Sequence, residues 1–174
     1  MIFWRNIAKN YMSIKKELMN EAENIMKKIF GNSNNILGVK LRGTDYVRGK
    51  PHEHAIPPKV KQVIADVKDM DKQYNYDFIF LVTEDEDIKK KFIPEFGEKL
   101  KLFNPTLLKE DIKKIEDLYE QTKAYLDFIK NYVLNIIILS KCLDLIAARC
   151  GGTMGAFIIT EGFRHTKIYN LGEY

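Results

Sequence analysis

The sequence predicts an α/β fold, a Rossmann-like three-layer domain in which a mainly parallel sheet of about five strands lies between helices. Short apolar runs such as Ile36–Leu41 alternate with longer segments whose apolar residues recur every three or four positions. Strands separated by helices pair in parallel through right-handed crossovers, so helices cover both faces of the sheet. The 174 residues, 45% of them hydrophobic, fit one such domain with a sizeable core.

The chain begins with an amphipathic pattern that predicts one helix from about Asn6 to Phe30, ending at Gly31. We expect residues 1–30 to form a leading helix of the interdomain type and residues 31–174 to form a single Rossmann-like domain. The apolar positions that define the helix are Ile7, Tyr11, Ile14, Leu18, Ile25 and Ile29.

The following segments alternate between strand and helix. Proline suits the first turn of a helix, and Gly97 is a typical residue just after a helix. In chain order, the predicted elements are strand Ile36–Leu41, a helix from Pro57 and Pro58 to about Met70, strand Asp77–Thr83, helix Asp85–Phe96 and strand Lys99–Phe103.

The last third of the chain is predicted to hold two further strands. A long helix is predicted from Lys109 to about Ile129, and Tyr132–Lys141 continues it as helix or forms a buried strand; length favours helix, although Val133–Leu139 is rich in β-branched residues. The elements after it are strand Leu145–Ala148, helix Thr153–Glu161 and strand Lys167–Leu171.

Charge and cysteine usage exclude several classes of protein. The net charge of +4 is dispersed among carboxylates, which indicates a solvated surface and no nucleic acid partner. The apolar run Tyr132–Leu139 is too short to span a bilayer, and no signal peptide is evident, so we expect a cytoplasmic protein. Cys142 and Cys150 lie in apolar context and are expected to be reduced packing residues.

Polar and glycine residues follow three predicted strands, where ligands bind in open α/β sheets. The first strand is followed by Arg42, Gly43 and Asp45, in which Arg42 either grips an anion or pairs with Asp45 to close a turn. The second is followed by Thr83 and Asp85, and the acidic run after Thr83 either shapes a pocket or complements a helix dipole. The fourth is followed by Gly151, Gly152 and Thr153, which either cradle a phosphate or allow close packing.

No metal site is predicted. His52, Glu53 and His54 lie in a proline-rich loop, and no third side-chain ligand accompanies the two histidines. We interpret this segment as a solvated loop.

Three segments together resemble a known family. They are Gly38–Tyr46 (GVKLRGTDY), Phe78–Asp85 (FIFLVTED) and Leu134–Cys142 (LNIIILSKC), and their order and spacing are similar to three motifs of the α-1,2-, α-1,6- and protein O-fucosyltransferase superfamily, especially its bacterial members acting on polysaccharides. The resemblance covers roughly residues 36–169. It implies a GT-B glycosyltransferase whose carboxyl-terminal domain binds GDP-fucose without an essential metal or cofactor, and this chain resembles that donor half alone.

The resemblance also implies roles for single residues. Arg42 matches the arginine that neutralises the β-phosphate of GDP as the glycosidic bond breaks, and it is therefore the expected catalytic residue. Lys40 and Gly43 depart from the usual His-x-Arg-Arg pattern, and Asn135 stands where relatives often carry an aspartate that reads guanine. Gly151 and Gly152 lie within one position of a serine that contacts the phosphate.

The expected function is therefore that of a fucosyltransferase-like domain that binds a nucleotide sugar for transfer to a glycan acceptor. Only the predicted leading helix precedes the first motif, so we expect a separate amino-terminal acceptor-binding domain or chain as partner. The alternative is a truncated or non-catalytic nucleotide-binding or interaction module.

Overall fold

A computed structural model of the chain describes residues 2–11, 14–43, 49–50, 52–103 and 122–174. The predicted Asp45, and most of the helix predicted from Lys109, lie outside the described residues. The helices are α1 Ile2–Tyr11, α2 Lys16–Phe30, α3 Val60–Tyr74, α4 Glu86–Phe96, α5 Thr122–Ser140 and α6 Gly151–Ile159, and the strands are β1 Ile36–Lys40, β2 Phe78–Val82, β3 Leu100–Lys101, β4 Asp144–Ala148 and β5 Thr166–Tyr169.

The five strands form one parallel sheet in the order β3-β2-β1-β4-β5. Ile36 pairs with Phe78 and Lys40 with Val82, so β1 and β2 end level with each other. The chain builds outward from β1 in one direction and then returns to add β4 and β5 on the other side. This reversal creates a crevice beyond the carboxyl ends of β1 and β4, the usual ligand position of such sheets. The predicted Rossmann-like fold class is confirmed.

Alternate residues of the strands feed two separate cores. Ile36 and Phe80 pack on the face covered by α2, α5 and α6, whereas Leu37 and Ile79 pack on the face covered by α3 and α4. Strand β1 is buried throughout because helices cover both its faces. Gly38 is needed in it, because a Cβ there would lie 2.7 Å from Cδ1 of Leu139.

The predicted leading helix is wrong in one respect, since it is two helices. Residues 14–15, between α1 and α2, are not helical. The helix α2 packs against α5, and α1 packs against α6, where Nε of Arg5 donates a hydrogen bond to the carbonyl of Phe157 at 2.9 Å. Both helices turn an apolar side toward the domain, so apolar spacing alone does not reveal the break.

The segment Tyr132–Lys141 is helix and not strand, because Tyr132–Ser140 forms the second half of α5. Ile137 and Ile138 are buried among the sheet, α2 and α6, which explains why this half of α5 is apolar on most sides. The last predicted helix begins two residues early, at Gly151, and the strand boundaries shift by one or two residues. Within the described residues, no helix is long and apolar enough to cross a membrane.

A buried carboxylate closes the amino-terminal edge of the sheet. Asp144, the first residue of β4, accepts hydrogen bonds from the hydroxyl of Tyr76, from Nη2 of Arg164 at 2.5 Å and from the backbone N–H of His165 at 2.7 Å. Desolvation raises the pKa of Asp144, but these hydrogen bonds outweigh it and the net pKa is lowered. The same interactions tie the segment before β5 to the start of β4.

Candidate functional site

Three of the predicted segments meet at the carboxyl edge of the sheet. Nζ of Lys40 lies 2.9 Å from Oε1 of Glu84, in the segment that follows β2. A Cβ on Gly152 would lie 3.1 Å from Cε of Lys40, so the start of α6 packs against the end of β1. Segments separated by more than 100 positions are thus neighbours here. We call this region, formed by residues 40–43, 83–85 and 149–153, the donor edge, after the expectation from the sequence that a nucleotide-sugar donor binds here.

Gly43 and Asp85 form the tightest contact of the donor edge. A Cβ at Gly43 would come closer than 3 Å to the carboxylate and Cβ of Asp85, a separation that real Cβ atoms essentially never show. Oδ1 of Asp85 accepts hydrogen bonds from the N–H groups of Asp87 at 2.8 Å and Ile88 at 3.2 Å. Asp85 is therefore the N-cap of α4, and Gly43 is small so that the cap can form.

Thr83 supports the same turn, because its Oγ1 accepts a hydrogen bond from the N–H of Asp85 at 3.2 Å. Of the two interpretations of the acidic segment, the geometry therefore favours the one in which its carboxylates stabilise the start of α4, since Asp85 caps that helix. Thr83 and Asp85 thus stabilise the turn between β2 and α4, which forms one wall of the site.

Lys40 does not present an unpaired cation to the site. Its side chain is 1% exposed, its ammonium is paired with Glu84, and it lies 5.6 Å from the ring centroid of Tyr132. Glu84 is 42% exposed and lies at the surface of the donor edge. Lys40 therefore holds the Glu84 carboxylate in place.

The turn Gly151–Thr153 opens α6 at the end of β4. Oγ1 of Thr153 donates a hydrogen bond to the carbonyl of Ala148 at 2.6 Å and lies 3.3 Å from Sγ of Cys150. Its hydroxyl is thus committed to the turn. Gly151 is exposed, and nothing lies within 4 Å of where its Cβ would be. The first N–H groups of a helix have no partner within that helix, so an anion can approach α6 at Gly151.

Asn135 lies in the second half of α5. Its Nδ2 donates hydrogen bonds to the carbonyls of Phe103 at 3.1 Å and Asn131 at 2.9 Å. Both amide hydrogens are therefore engaged in fixing the segment after β3.

Arg42 is half-buried at the mouth of an open groove of about 830 Å³. The groove runs between the start of α3 and the outer side of α4, with Gly43 and Asp85 in its wall. We call it the α3–α4 groove. Its other lining residues include Pro57, Pro58, Lys59, Lys61, Ile64, Asp87, Lys90, Lys91, Pro94, Glu95 and Tyr174.

The segment Gly172–Tyr174 fastens one side of this groove. The N–H of Tyr174 donates to the carbonyl of His54 at 3.1 Å, and the N–H of Ile56 donates to the carbonyl of Gly172 at 3.0 Å. Nη2 of Arg149 lies 2.7 Å from Oε1 of Glu173. The sequence placed Arg149 at this edge, since it follows β4 as Arg42 follows β1, but it gave no signal for Tyr174.

A second, apolar cavity of about 480 Å³ lies on the opposite face of the sheet. Ile14, Tyr132, Ile136 and the stripe Gly151, Gly152 and Gly155 contribute to its wall. Gly152 is packed tightly there, because a Cβ would lie 2.7 Å from the hydroxyl of Tyr132. Close packing therefore explains Gly152, whereas Gly151 remains open.

The predicted interpretation of the cysteines is confirmed, since Cys142 and Cys150 are both free and buried. Burial raises the pKa of the Cys142 thiol. His52 and Glu53 are exposed by 87% and 80%, which agrees with a solvated loop. In the part of the chain that the structure describes, no three His, Cys, Asp or Glu side chains are grouped so that they could hold a metal ion.

Comparison with solved structures identifies the fold more closely. The chain matches the α-1,6-fucosyltransferase NodZ soaked with GDP-fucose, with a TM-score of 0.58 and 13% identity over 85% of this chain and 43% of that one. It also matches POFUT1 in complex with GDP, with a TM-score of 0.62 and 9% identity over 95% of this chain and 51% of that one. The fold is one found in fucosyltransferases.

A second POFUT1 structure shows how far the likeness extends. The complex of POFUT1 with GDP-fucose matches with a TM-score of 0.60 and 8% identity, over 95% of this chain and 49% of that one. The chain thus spans about half the length of the solved structures it matches. No protein-family model matches the sequence, and no curated protein matches it significantly.

Proposed function

We propose that this chain is the donor-binding domain of a fucosyltransferase-like glycosyltransferase, which binds GDP-fucose for transfer to a glycan acceptor. The observation that carries the proposal is the position of Arg42. It lies beside the crevice where the strand order reverses, at the mouth of an open groove, in a fold that NodZ and POFUT1 share. An arginine there suits a diphosphate, because its planar guanidinium can donate two parallel hydrogen bonds to phosphate oxygens.

The proposed role of Arg42 follows from the charge that develops during transfer. As the bond between the sugar C1 and the diphosphate oxygen breaks, negative charge accumulates on the departing diphosphate. A guanidinium fixed at that position stabilises the transition state more than the ground state, which accelerates the reaction. The N–H groups at the start of α6 assist in the same way, and no metal or cofactor enters the proposal.

The proposal assigns supporting roles to the other donor-edge residues. Gly151 admits the phosphates to the start of α6, and Glu84, held by Lys40, faces the sugar or ribose hydroxyls. Thr83, Gly43 and Asp85 maintain the wall of the site. The proposed role of Asn135 is to accept a hydrogen bond from the N–H edge of guanine through Oδ1, because the two hydrogen bonds that its Nδ2 donates leave that oxygen as the acceptor.

The acceptor half remains part of the proposal. Since the chain spans about half the length of NodZ and POFUT1, we propose that an acceptor-binding domain, in the same polypeptide or a partner chain, completes the enzyme. The proposed acceptor is a polysaccharide of a bacterial biosynthetic route in the cytoplasm. The same observation supports a second candidate function, in which the domain binds nucleotide without transferring sugar.

Calorimetric titration of GDP into wild type and Arg42→Ala tests donor binding. Loss of a charge-assisted contact costs about 1.5–3 kcal/mol, so the Kd should rise by one to two decades. Arg42→Lys should fall between the two, because lysine retains the charge without the planar donor pair. Lys72→Ala, which removes an exposed cation from the far end of α3, is the control and should bind GDP as wild type does.

Equal GDP affinity in wild type and Arg42→Ala would refute the role of Arg42. Release of GDP from GDP-fucose, measured with acceptor and the completing domain present, separates the two candidate functions. Turnover that disappears in Arg42→Ala indicates the transferase. Binding without turnover indicates the nucleotide-binding module.

A further inference from the structure

The α3–α4 groove carries a concentration of unpaired positive charge. Lys59 and Lys61 lie at the start of α3, Lys90 and Lys91 lie on α4, and all four are exposed and line the groove. Within the part of the chain that the structure describes, none of the four forms an ion pair. Other exposed or half-exposed lysines do, including Lys68 with Glu95 at 2.5 Å and Lys130 with Glu21 at 2.8 Å.

The carboxylates of the groove do not neutralise this charge. Asp85 caps α4 and is buried against Gly43, and Glu95 is paired with Lys68, which does not line the groove. Asp87 is left as the acid that faces four lysines and Arg42. Like charges gathered in a concave surface repel one another and focus a positive potential, which attracts an anionic ligand.

The groove is distinct from the expected position of the donor. The donor belongs at the crevice between β1 and β4, whereas the lysines come from the helices that follow β1 and β2 and lie together on the other side of β1. Arg42 stands between the two sites, because it ends β1 and also lines the groove. A ligand in the groove would therefore reach the point where a bound donor presents its reactive carbon.

The uncharged surfaces of the groove narrow the class of ligand. Pro57, Pro58 and Tyr174 supply flat apolar faces, and Ile64 adds to them. A sugar ring has apolar C–H faces that suit such surfaces, while acidic substituents on its rim would reach the lysines. Proteins that bind single-stranded nucleic acid instead present several aromatic side chains for base stacking, and Tyr174 is the one aromatic residue among the described residues that line this groove.

We propose that the α3–α4 groove binds an acidic glycan, and that the acceptor is therefore a uronic-acid-containing or similarly anionic polysaccharide. The acceptor role rests on the proposed glycosyltransferase function, whereas binding of the acidic glycan does not. A groove volume of about 830 Å³ is within the range of ligand sites and leaves room for more than one sugar ring.

The test uses tetragalacturonic acid and its methyl ester, which keeps the sugar rings and removes the charges. The groove variant replaces four lysines by glutamine, and the control variant makes the same change at four exposed lysines outside the groove, so that both lose equal net charge. The groove variant is K59Q/K61Q/K90Q/K91Q, and the control variant is K15Q/K16Q/K28Q/K72Q.

Calorimetry at an ionic strength of about 0.15 M, where the Debye length is about 8 Å, should show that wild type binds the acid at least tenfold more tightly than the ester. The groove variant should lose that preference, and the control variant should retain wild-type affinity within about twofold, because exposed charges away from a site are screened. GDP affinity should be preserved in both variants. Circular dichroism verifies that both variants are folded.

Three results would overturn the proposal. The first is equal affinity of wild type for acid and ester, and the second is an equal loss in the control variant. The third is binding of tetraglutamate or a thymidine pentanucleotide as tightly as the glycan, which would indicate a general polyanion surface.

Titration of GDP separates this proposal from the donor proposal. If the groove variant loses GDP and glycan together, the lysines belong to the donor site and the acidic-acceptor proposal fails while the proposed function stands. If wild type binds the acidic glycan but no GDP, the groove proposal stands as a binding site and the donor function fails.

Discussion

At the scale of the residue, the packing of the donor edge depends on two glycines that leave room for neighbouring side chains. Gly43 leaves the space that the Asp85 carboxylate occupies, and Gly152 leaves the space for the hydroxyl of Tyr132. Neither glycine has a positive φ, so packing and not backbone conformation requires them. Gly151, which directly precedes Gly152 at the start of α6, is open to solvent and differs from both.

The contrast between Gly43 and Gly151 gives a matched prediction. Gly43→Ala should destabilise the protein by about 1–3 kcal/mol, because the added methyl displaces Asp85 and weakens the cap of α4. Gly151→Ala should be neutral or stabilising by up to about 1 kcal/mol, since alanine is the better helix former and has space. Urea unfolding of both variants measures the difference. Equal free energies of unfolding would contradict the packing account of Gly43.

At the scale of the element, polar contacts fix the carboxyl end of β2 and the amino-terminal end of β4. At its carboxyl end, β2 passes into the Asp85 cap, and at its amino-terminal end β4 begins at the buried Asp144. Arg164 is 40% exposed, so part of its interaction with Asp144 is screened by solvent. The backbone N–H of His165 and the buried hydroxyl of Tyr76 complete the set and join β4, β5 and the segment before β2.

The lowered pKa of Asp144 predicts how stability depends on pH. A carboxyl group whose folded pKa is below its ordinary value of 3.8 stabilises the fold fully above that value, and the stabilisation is lost as the pH falls toward the folded pKa. Asp144→Asn should cost about 1.5–3 kcal/mol at pH 7, because it removes the charge from several hydrogen bonds.

Urea unfolding between pH 7 and pH 3 measures this effect. The stability difference between wild type and Asp144→Asn should shrink as the pH falls below about 4. Asp69→Asn, at an exposed carboxylate on α3, is the control and should cost less than about 0.5 kcal/mol. A difference for Asp144→Asn that stays constant down to pH 3 would refute the assignment.

At the scale of the whole molecule, the order of the strands in the sheet decides which segments of the chain become neighbours. Because β1 is central and β4 lies on its other side, one edge brings together residues from positions 40–43, 83–85 and 149–153. The helices after β1 and β2 share a face, which places the two lysine pairs in one groove. The solved structures of NodZ and POFUT1, whose fold this chain matches, belong to chains about twice as long.

Ligand binding by the whole domain predicts a shift in its melting temperature. GDP at 100 times its Kd should stabilise the fold by about 2.7 kcal/mol, which raises the Tm by about 5–10 °C for a domain of this size. ADP and UDP should give smaller shifts if guanine is read. An unchanged Tm with GDP, GDP-fucose, UDP and ADP would refute nucleotide binding as a function of this domain.

The sequence by itself determined the fold class, because apolar periodicity and the alternation of strands and helices are local properties. They can be recognised without knowing which residues are in contact. It also located Arg42, Gly43, Thr83, Asp85 and the Gly151–Thr153 turn at one edge, since polar residues after buried strands mark that edge. The break between α1 and α2 could not be predicted from the spacing of apolar residues, because both helices bury apolar faces.

Only the tertiary structure decided which polar groups are already engaged. Lys40 is paired with Glu84, and the Asn135 amide with Phe103, through packing between segments that are distant in sequence. Four lysines that resemble an ordinary solvated surface in the sequence converge on one groove for the same reason. The contacts of Thr153 with Ala148 and of Asn135 with Asn131 lie within one turn and one helix. Whether two polar groups form a hydrogen bond or an ion pair depends on their distance in the folded chain. Spacing in the sequence predicts that distance only within a single helix or strand.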